Sequence, residues 1–246
     1  MELSSNTILI TGGASGIGLA LAERFVKAGS EVIICGRRLS KLREAKSKHP
    51  QLHTRVCDVS RESERIGLFN WVTSEFPQVN VLINNAGIQV RTRLAQNADW
   101  GKMREELAIN LEAPLHLSTM FIPHLQKQKQ PAIINITSGL AFVPLALAPV
   151  YCATKAALHS FTLSLRRQLA STPITVVEIA PPAVNTDLGG VGLHAKDISV
   201  GEFLDAVMTR LAKGELEIGY GFAEKSSHAS RAELDEIFNR INQSGW

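Results

Sequence analysis

Short apolar runs alternate with longer amphipathic stretches along the whole chain, and this rhythm limits the fold more than any other feature. Strands of a parallel sheet are buried on both faces and read as unbroken apolar runs, while each connecting helix buries one stripe. The runs at 7–11 (Thr-Ile-Leu-Ile-Thr), 31–35, 53–59, 79–83, 132–137, 174–180 and 216–222 predict seven strands. Between the first two lies a helical face of Ile17, Leu21, Phe25 and Ala28, closed by Gly29. Further helices are predicted at 40–48, at 61–76 before Pro77, at 99–128 with a bend at Pro114, and at 151–170, 201–213 and 231–242. Residues 181–199 read as loop, with Gly189, Gly190 and Gly192. No repeat, low-complexity tract or linker divides the sequence, so residues 1–246 are expected to form one doubly wound α/β domain with helices on both faces of the sheet.

Composition removes several classes of function. Hydrophobic residues make up 45% and charged residues 20%, enough for a sizeable core and wrong for a disordered chain. Net charge is only +3, which gives no case for a nucleic-acid partner. Cys35, Cys57 and Cys152 are odd in number and scattered, which fits a reducing, cytoplasmic setting and packing roles. No CxxC or HExxH is present, so no metal site is expected. The start, Met-Glu-Leu-Ser-Ser-Asn, is acidic and polar, unlike a secretory signal. The uncharged stretch 130–154 contains Pro131, Pro144 and Pro149, so it reads as strand, loop and helix start, not a membrane span.

The first strand runs into Thr11-Gly12-Gly13-Ala14-Ser15-Gly16-Ile17-Gly18. Glycines between a strand and a helix allow a tight turn, close approach of backbone N–H groups to a pyrophosphate, and close helix–strand packing. The helix N-terminus adds donors and a positive dipole end for an anion. Leu19 follows Gly18 where a P-loop needs Lys, and the final glycine of a GxSxG elbow is missing.

The spacing TGxxxGxG resembles the short-chain dehydrogenase/reductase family. Its other landmarks follow in order: Asp58-Val59, Asn84-Asn85-Ala86-Gly87, Asn110, Ser138, Tyr151-Cys-Ala-Thr-Lys155, and Pro181 to Thr186. Pro182 stands where the family usually has glycine, which resembles a branch that includes the oxidoreductase encoded beside some D-alanyl–lipoteichoic-acid genes. The resemblance covers nearly the whole chain and implies a Rossmann-type fold.

Tyr151 and Lys155 stand i and i+4 on one helix face, so phenol and ammonium can point into one cleft. A nearby cation favours phenolate and lowers a phenol's proton affinity. The resemblance implies that Tyr151 is the general acid/base, that Lys155 lowers its pKa and binds the nicotinamide ribose, and that Ser138 donates to the substrate oxygen. It also implies that Asn110 holds a proton-relay water. Implied cofactor contacts are Gly12, Ser15, Gly16, Ile17, Gly18, Asp58, Val59, Asn85, Ala86, Gly87, Tyr151, Lys155, Pro181, Val184 and Thr186, with Asp58 accepting from the adenine amino group.

The second strand ends Cys35-Gly36-Arg37-Arg38, without the carboxylate that a ribose hydroxyl favours in NAD sites. NADP(H) is therefore expected, with NAD possible, Arg37 as the main 2′-phosphate ligand and Arg38 as the secondary one. Leu140, Ala141, Phe142, Val143, Leu145, Leu147 and Ile88 are candidate walls for a small, largely apolar carbonyl or secondary alcohol. Residues 188–199 are expected to form a lid, with His194 in it. By analogy with the family, the chain forms a homodimer or homotetramer.

Overall fold

In the computed structural model, which describes residues 1–243, seven strands form one parallel sheet. They are Thr7–Thr11 (β1), Glu31–Gly36 (β2), His53–Val56 (β3), Val81–Asn84 (β4), Ala132–Ile136 (β5), Thr175–Ala180 (β6) and Glu217–Gly219 (β7). Their order, β3-β2-β1-β4-β5-β6-β7, reverses direction between β1 and β4. Connections on either side of that point leave toward opposite faces, which opens a crevice at the carboxyl ends of the strands.

The helices are Gly16–Lys27 (α1), Leu39–Lys48 (α2), Glu62–Glu75 (α3), Leu94–Asn97 (α4), Trp100–Leu107 (α5), Ala113–Leu125 (α6), Pro149–Gln168 (α7), Val200–Ala212 (α8), Phe222–Ser227 (α9) and Arg231–Ile241 (α10). Successive strand residues point to opposite faces. Thus Ile8, Ile10, Ile34 and Ile83 pack with Leu21 and Phe25 of α1 and Phe203 and Val207 of α8. Leu9, Ile33, Leu82 and Ile133 pack with Val72 of α3, Phe121 of α6 and Leu165 of α7. Each such side chain, fully buried, contributes roughly 1.5–3 kcal/mol.

Several elements differ from the sequence expectation. The third strand stops at Val56, and the last shrinks to Glu217–Gly219. Residues 222–227, at the end of that expected strand and beyond, are the short helix α9. Gly221, at φ +56°, turns the chain into it, and a Cβ on Gly219 would lie 2.8 Å from Glu224 backbone. The long helix expected at 99–128 is broken by a π-helical turn, Ala108–Glu112, between α5 and α6. Pro114 has no N–H to give the Asn110 carbonyl, and its ring crowds that oxygen, so the helix widens just before it. α7 starts at Pro149, ahead of Tyr151, because proline suits the first turn of a helix.

Candidate active site

Strands β1, β2, β4, β5 and β6 end around one cleft of about 1090 Å³. The glycine turn forms its floor. Gly12 and Gly16 adopt φ +64° and +55°, where a side chain is strained. A Cβ on Gly18 would come 2.4 Å from Asn85 Nδ2 and 2.6 Å from the Gly12 oxygen. α1 starts without a side-chain cap. Its first bond runs from Leu19 N–H to the Ser15 oxygen, leaving the donors of the first turn for an anion. Cleft volume, positive-φ glycines and uncapped helix start together fit a dinucleotide.

A lock joins this turn to the end of β4. Thr11 Oγ1 accepts from Asn85 N–H at 3.0 Å and Ala86 N–H at 3.1 Å. Asn85 Nδ2 donates back to the Thr11 oxygen at 2.9 Å. The Asn85 carboxamide therefore shapes the glycine turn from behind. Asn84 steadies the sheet instead, donating to Asn135 Oδ1 at 2.8 Å and Ser118 Oγ at 3.1 Å.

At the inner end, Ser138, Tyr151 and Lys155 all line the cleft. Ser138 follows β5, and the next residue, Gly139, donates to the Pro181 oxygen after β6 at 2.9 Å, so two strand ends fix its place. Tyr151 and Lys155 project from α7, 5% and 4% exposed. Lys155 Nζ sits 5.7 Å from the Tyr151 ring centre and donates to the Ile136 oxygen at 2.7 Å.

Burial dominates the electrostatics of this pair. Burial pushes the Tyr151 phenol up, well above its usual value, and the Ser138 hydroxyl only partly opposes it. Burial also pushes the Lys155 ammonium down, to about 8, with Glu106 opposing. Desolvation outweighs mutual attraction at this depth.

Asn110 lies in the π turn with its side chain committed: Ile88 N–H donates to Oδ1, and Nδ2 donates to the Ile88 oxygen. Nδ2 also reaches Thr154 Oγ1 at 3.3 Å.

At the opposite end, Arg37 and Arg38 both line the cleft, with different side-chain partners. Arg37, expected as the main anion ligand, pairs with Glu105 of α5 at 2.5 Å. Arg38 Nη2 instead donates to Ser15 Oγ at 3.0 Å, carrying its guanidinium over the glycine turn. Asp58 lines the cleft, though its Oδ1 already accepts from the Ser60 N–H and hydroxyl. Val59, Ala86, Gly87, Ile17, Pro181, Val184 and Thr186 also line it.

Among the expected walls, Ile88, Leu140 and Leu145 face the cleft. Val143 is buried, and Phe142 packs edge-on against His159. The segment after Thr186 covers the cleft with Leu188, Gly189, Gly190 and His194, and His194 Nδ1 pairs with Asp197 at 2.7 Å. Gln89, Arg91 and the buried Glu106 were missed in the sequence. Only the helical spacing of Glu106, four residues before Asn110, pointed to it. The three cysteines are buried and free. Among the described residues, no group of His, Cys, Asp and Glu could hold a metal ion, and no helix is long and apolar enough to cross a membrane.

A parallel sheet with a glycine turn at its reversal point defines a nucleotide-binding protein of Rossmann type. A family model for short chain dehydrogenase matches residues 6–194. The Bacillus subtilis (strain 168) "Uncharacterized oxidoreductase DltE" is 47% identical over 254 aligned positions, covering 98% of each chain. A "Probable NADP-dependent dehydrogenase" of Haemophilus influenzae is 30% identical over 200 positions, 79% of this chain and 78% of its own. A short chain dehydrogenase from Burkholderia cenocepacia J2315 in complex with NADP matches the fold with a TM-score of 0.81 at 24% identity, over 98% of this chain and 99% of that one. The chain belongs to the short-chain dehydrogenase family and is an oxidoreductase of that family. The relative from B. subtilis is of the branch to which the motif at 181–186 pointed.

Proposed function

We propose that the protein transfers hydride between NADP(H) and a largely apolar carbonyl compound or secondary alcohol. One observation carries this reading: Ser138, Tyr151 and Lys155 converge at the inner end of the cleft whose floor is the glycine turn. The dinucleotide's pyrophosphate would lie against Gly12, Ser15, Gly16, Ile17 and Gly18, its adenine near Asp58 and Val59, and its 2′-phosphate against Arg38 and Arg37. The bound cofactor supplies or accepts the hydride. Lys155 would hold the nicotinamide ribose, and Val184 and Thr186 the carboxamide side.

The chain's own residues handle the proton. Because burial keeps the Tyr151 phenol protonated at neutral pH, it is the acid that delivers a proton to the oxygen of a carbonyl being reduced. Ser138 donates to that same oxygen and stabilises the charge developing there. The phenolate left behind faces the Lys155 ammonium and the Ser138 hydroxyl. Ile88, Leu140, Leu145 and Leu188 make the substrate's surroundings apolar and exclude water. The chain also pairs with copies of itself in this reading, through helices whose outer faces expose Trp100 and Leu163.

The test is a screen of ketones and aldehydes with NADPH, run beside Tyr151→Phe. NADPH oxidation by the wild type, reduced in the variant by about 10²–10⁴-fold with NADPH affinity retained, is expected. Tight NADPH binding without turnover of any carbonyl would instead identify a nucleotide-binding sensor.

A further inference from the structure

Glu106, on α5, is 0% exposed and has no part in the reaction above. Its Oε1 accepts the Val90 N–H at 2.9 Å, and its Oε2 is buried without a hydrogen-bond partner. One helical turn on, Asn110 accepts the Ile88 N–H at 2.9 Å and donates to the Ile88 oxygen at 2.8 Å. The wall segment 87–90 is thus clamped at alternate residues by α5 and the π turn that follows it. Behind that segment lies the ammonium: a Cβ on Gly87 would stand 3.4 Å from Asn110 Oδ1 and 3.7 Å from Lys155 Nζ.

We propose that Glu106 is a positioning residue for the Tyr151–Lys155 pair: its carboxyl clamps the wall through Val90 and, by holding or releasing one proton, sets the charge against which that pair works. This rests on the active-site reading above. The groups facing Glu106 from α7 are Lys155, Tyr151 and Cys152, each of which shares an electrostatic interaction with it. Arg91 and Arg93, on the segment that carries Val90, are exposed, as are Lys102 and Arg104 on its own helix. No ion pair offsets the burial of this carboxyl among the described residues, so burial holds its proton up to about 7. The Val90 N–H and the Lys155 charge oppose that rise only in part.

The sign of the effect follows. Ionised Glu106 favours the Lys155 ammonium and disfavours the Tyr151 phenolate. Above neutrality it keeps Lys155 charged to higher pH than burial alone would allow. Glu106→Gln retains an acceptor for Val90 and removes the titration.

The test measures kcat between pH 5 and 10, with NADPH affinity from fluorescence. It uses the best carbonyl of the screen and compares wild type, Glu106→Gln, Glu106→Asp and Tyr151→Phe. Carboxyl ¹³C shifts of wild type and Glu106→Gln give a readout independent of turnover. The wild type is expected to show a carboxyl titrating near 7 that is lost in Glu106→Gln. The alkaline limb of kcat should move to lower pH in that variant, about twofold or more at pH 8. KM and NADPH affinity should be unchanged, and Glu106→Asp should restore part of the limb. An unchanged limb in Glu106→Gln, beside an inactive Tyr151→Phe, overturns the role of Glu106. A carboxyl at 106 titrating in the ordinary range also overturns it. An active Tyr151→Phe overturns the active-site reading instead. Should Glu106→Gln not fold, Glu106→Asp carries the kinetic test and the wild-type titration decides alone.

Discussion

Asn110 and Ile88 bind each other twice, Ile88 N–H to Asn110 Oδ1 at 2.9 Å and Asn110 Nδ2 to the Ile88 oxygen at 2.8 Å. With the further contact of Nδ2 to Thr154 Oγ1, that mutual pairing occupies both amide donors and anchors Asn110 to the 87–90 wall. The backbone at Asn110 is a π turn. Ala113 N–H reaches back to the Ala108 oxygen, and Pro114 has no N–H to offer the Asn110 carbonyl.

Pro114→Ala tests the consequence. A restored N–H would pull the Asn110 carbonyl into an ordinary helical bond and regularise the turn. We expect Tm to rise by roughly 2–4 °C, the shift that one added hydrogen bond of about 1 kcal/mol gives in a chain of this size. If that carbonyl holds the proton-relay water that the family resemblance implies at Asn110, activity should fall by about tenfold. Unchanged kcat in a stabilised variant would separate the π turn from function.

Arg38 and Arg37 give a second prediction. Both arginines are exposed, but Arg38 lies over the glycine turn against Ser15, whereas Arg37 is paired with Glu105. Arg38→Ala should weaken NADPH binding by about 10–100-fold and leave NADH almost untouched, because only the 2′-phosphate is lost as a partner. Arg37→Ala should cost less, as the Glu105 carboxylate already neutralises part of its charge. Titrations of both nucleotides against each variant check this. A wild type that prefers NADH refutes it.

The sheet was legible in the sequence because its strands are buried on both faces and read as plain apolar runs, Ile8 through Ile10 being the clearest. The glycine turn was legible because its constraints are local. What escaped depends on long-range partners. Nothing near Arg37 in sequence announces Glu105, which lies 68 residues away. The rise of the Tyr151 phenol comes from burial that only the packed molecule creates. The missed helix α9 arises from the turn at Gly221, and an apolar run ending in Phe222 reads equally well as strand.

Gly18 and Gly67 should respond in opposite ways to alanine. At Gly18 the new Cβ meets the Gly12 oxygen and the Asn85 carboxamide that Thr11 and Gly12 hold in place. Gly18→Ala should lose about 1–3 kcal/mol by overpacking, with weaker NADPH binding. Gly67, inside α3, has nothing within 4 Å of its Cβ position. Gly67→Ala should gain about 0.5–1 kcal/mol through helix propensity and unfolded-state entropy. Urea melts of both variants decide.

Lys155 sets function against stability. Its ammonium is lowered from 10.5 to about 8 by burial, so the folded state binds it less well than the unfolded state does. Between pH 8 and 10.5 the unfolded chain holds more protons, and stability therefore rises with pH across that window. Below pH 8 the penalty is present in full, roughly 3–4 kcal/mol. Lys155→Met keeps the volume and removes the charge, at the cost of the charged-donor bond to the Ile136 oxygen, worth about 1.5–3 kcal/mol. At pH 7 this variant should be inactive yet more stable than the wild type by roughly 1–2 kcal/mol. The gap should close as pH climbs past 8, because the wild-type lysine then discharges on its own. Denaturant melts of both proteins at pH 7 and pH 10 measure it. A Lys155→Met protein less stable than the wild type at pH 7 would show that the ammonium is held by attraction, and that burial does not govern this site.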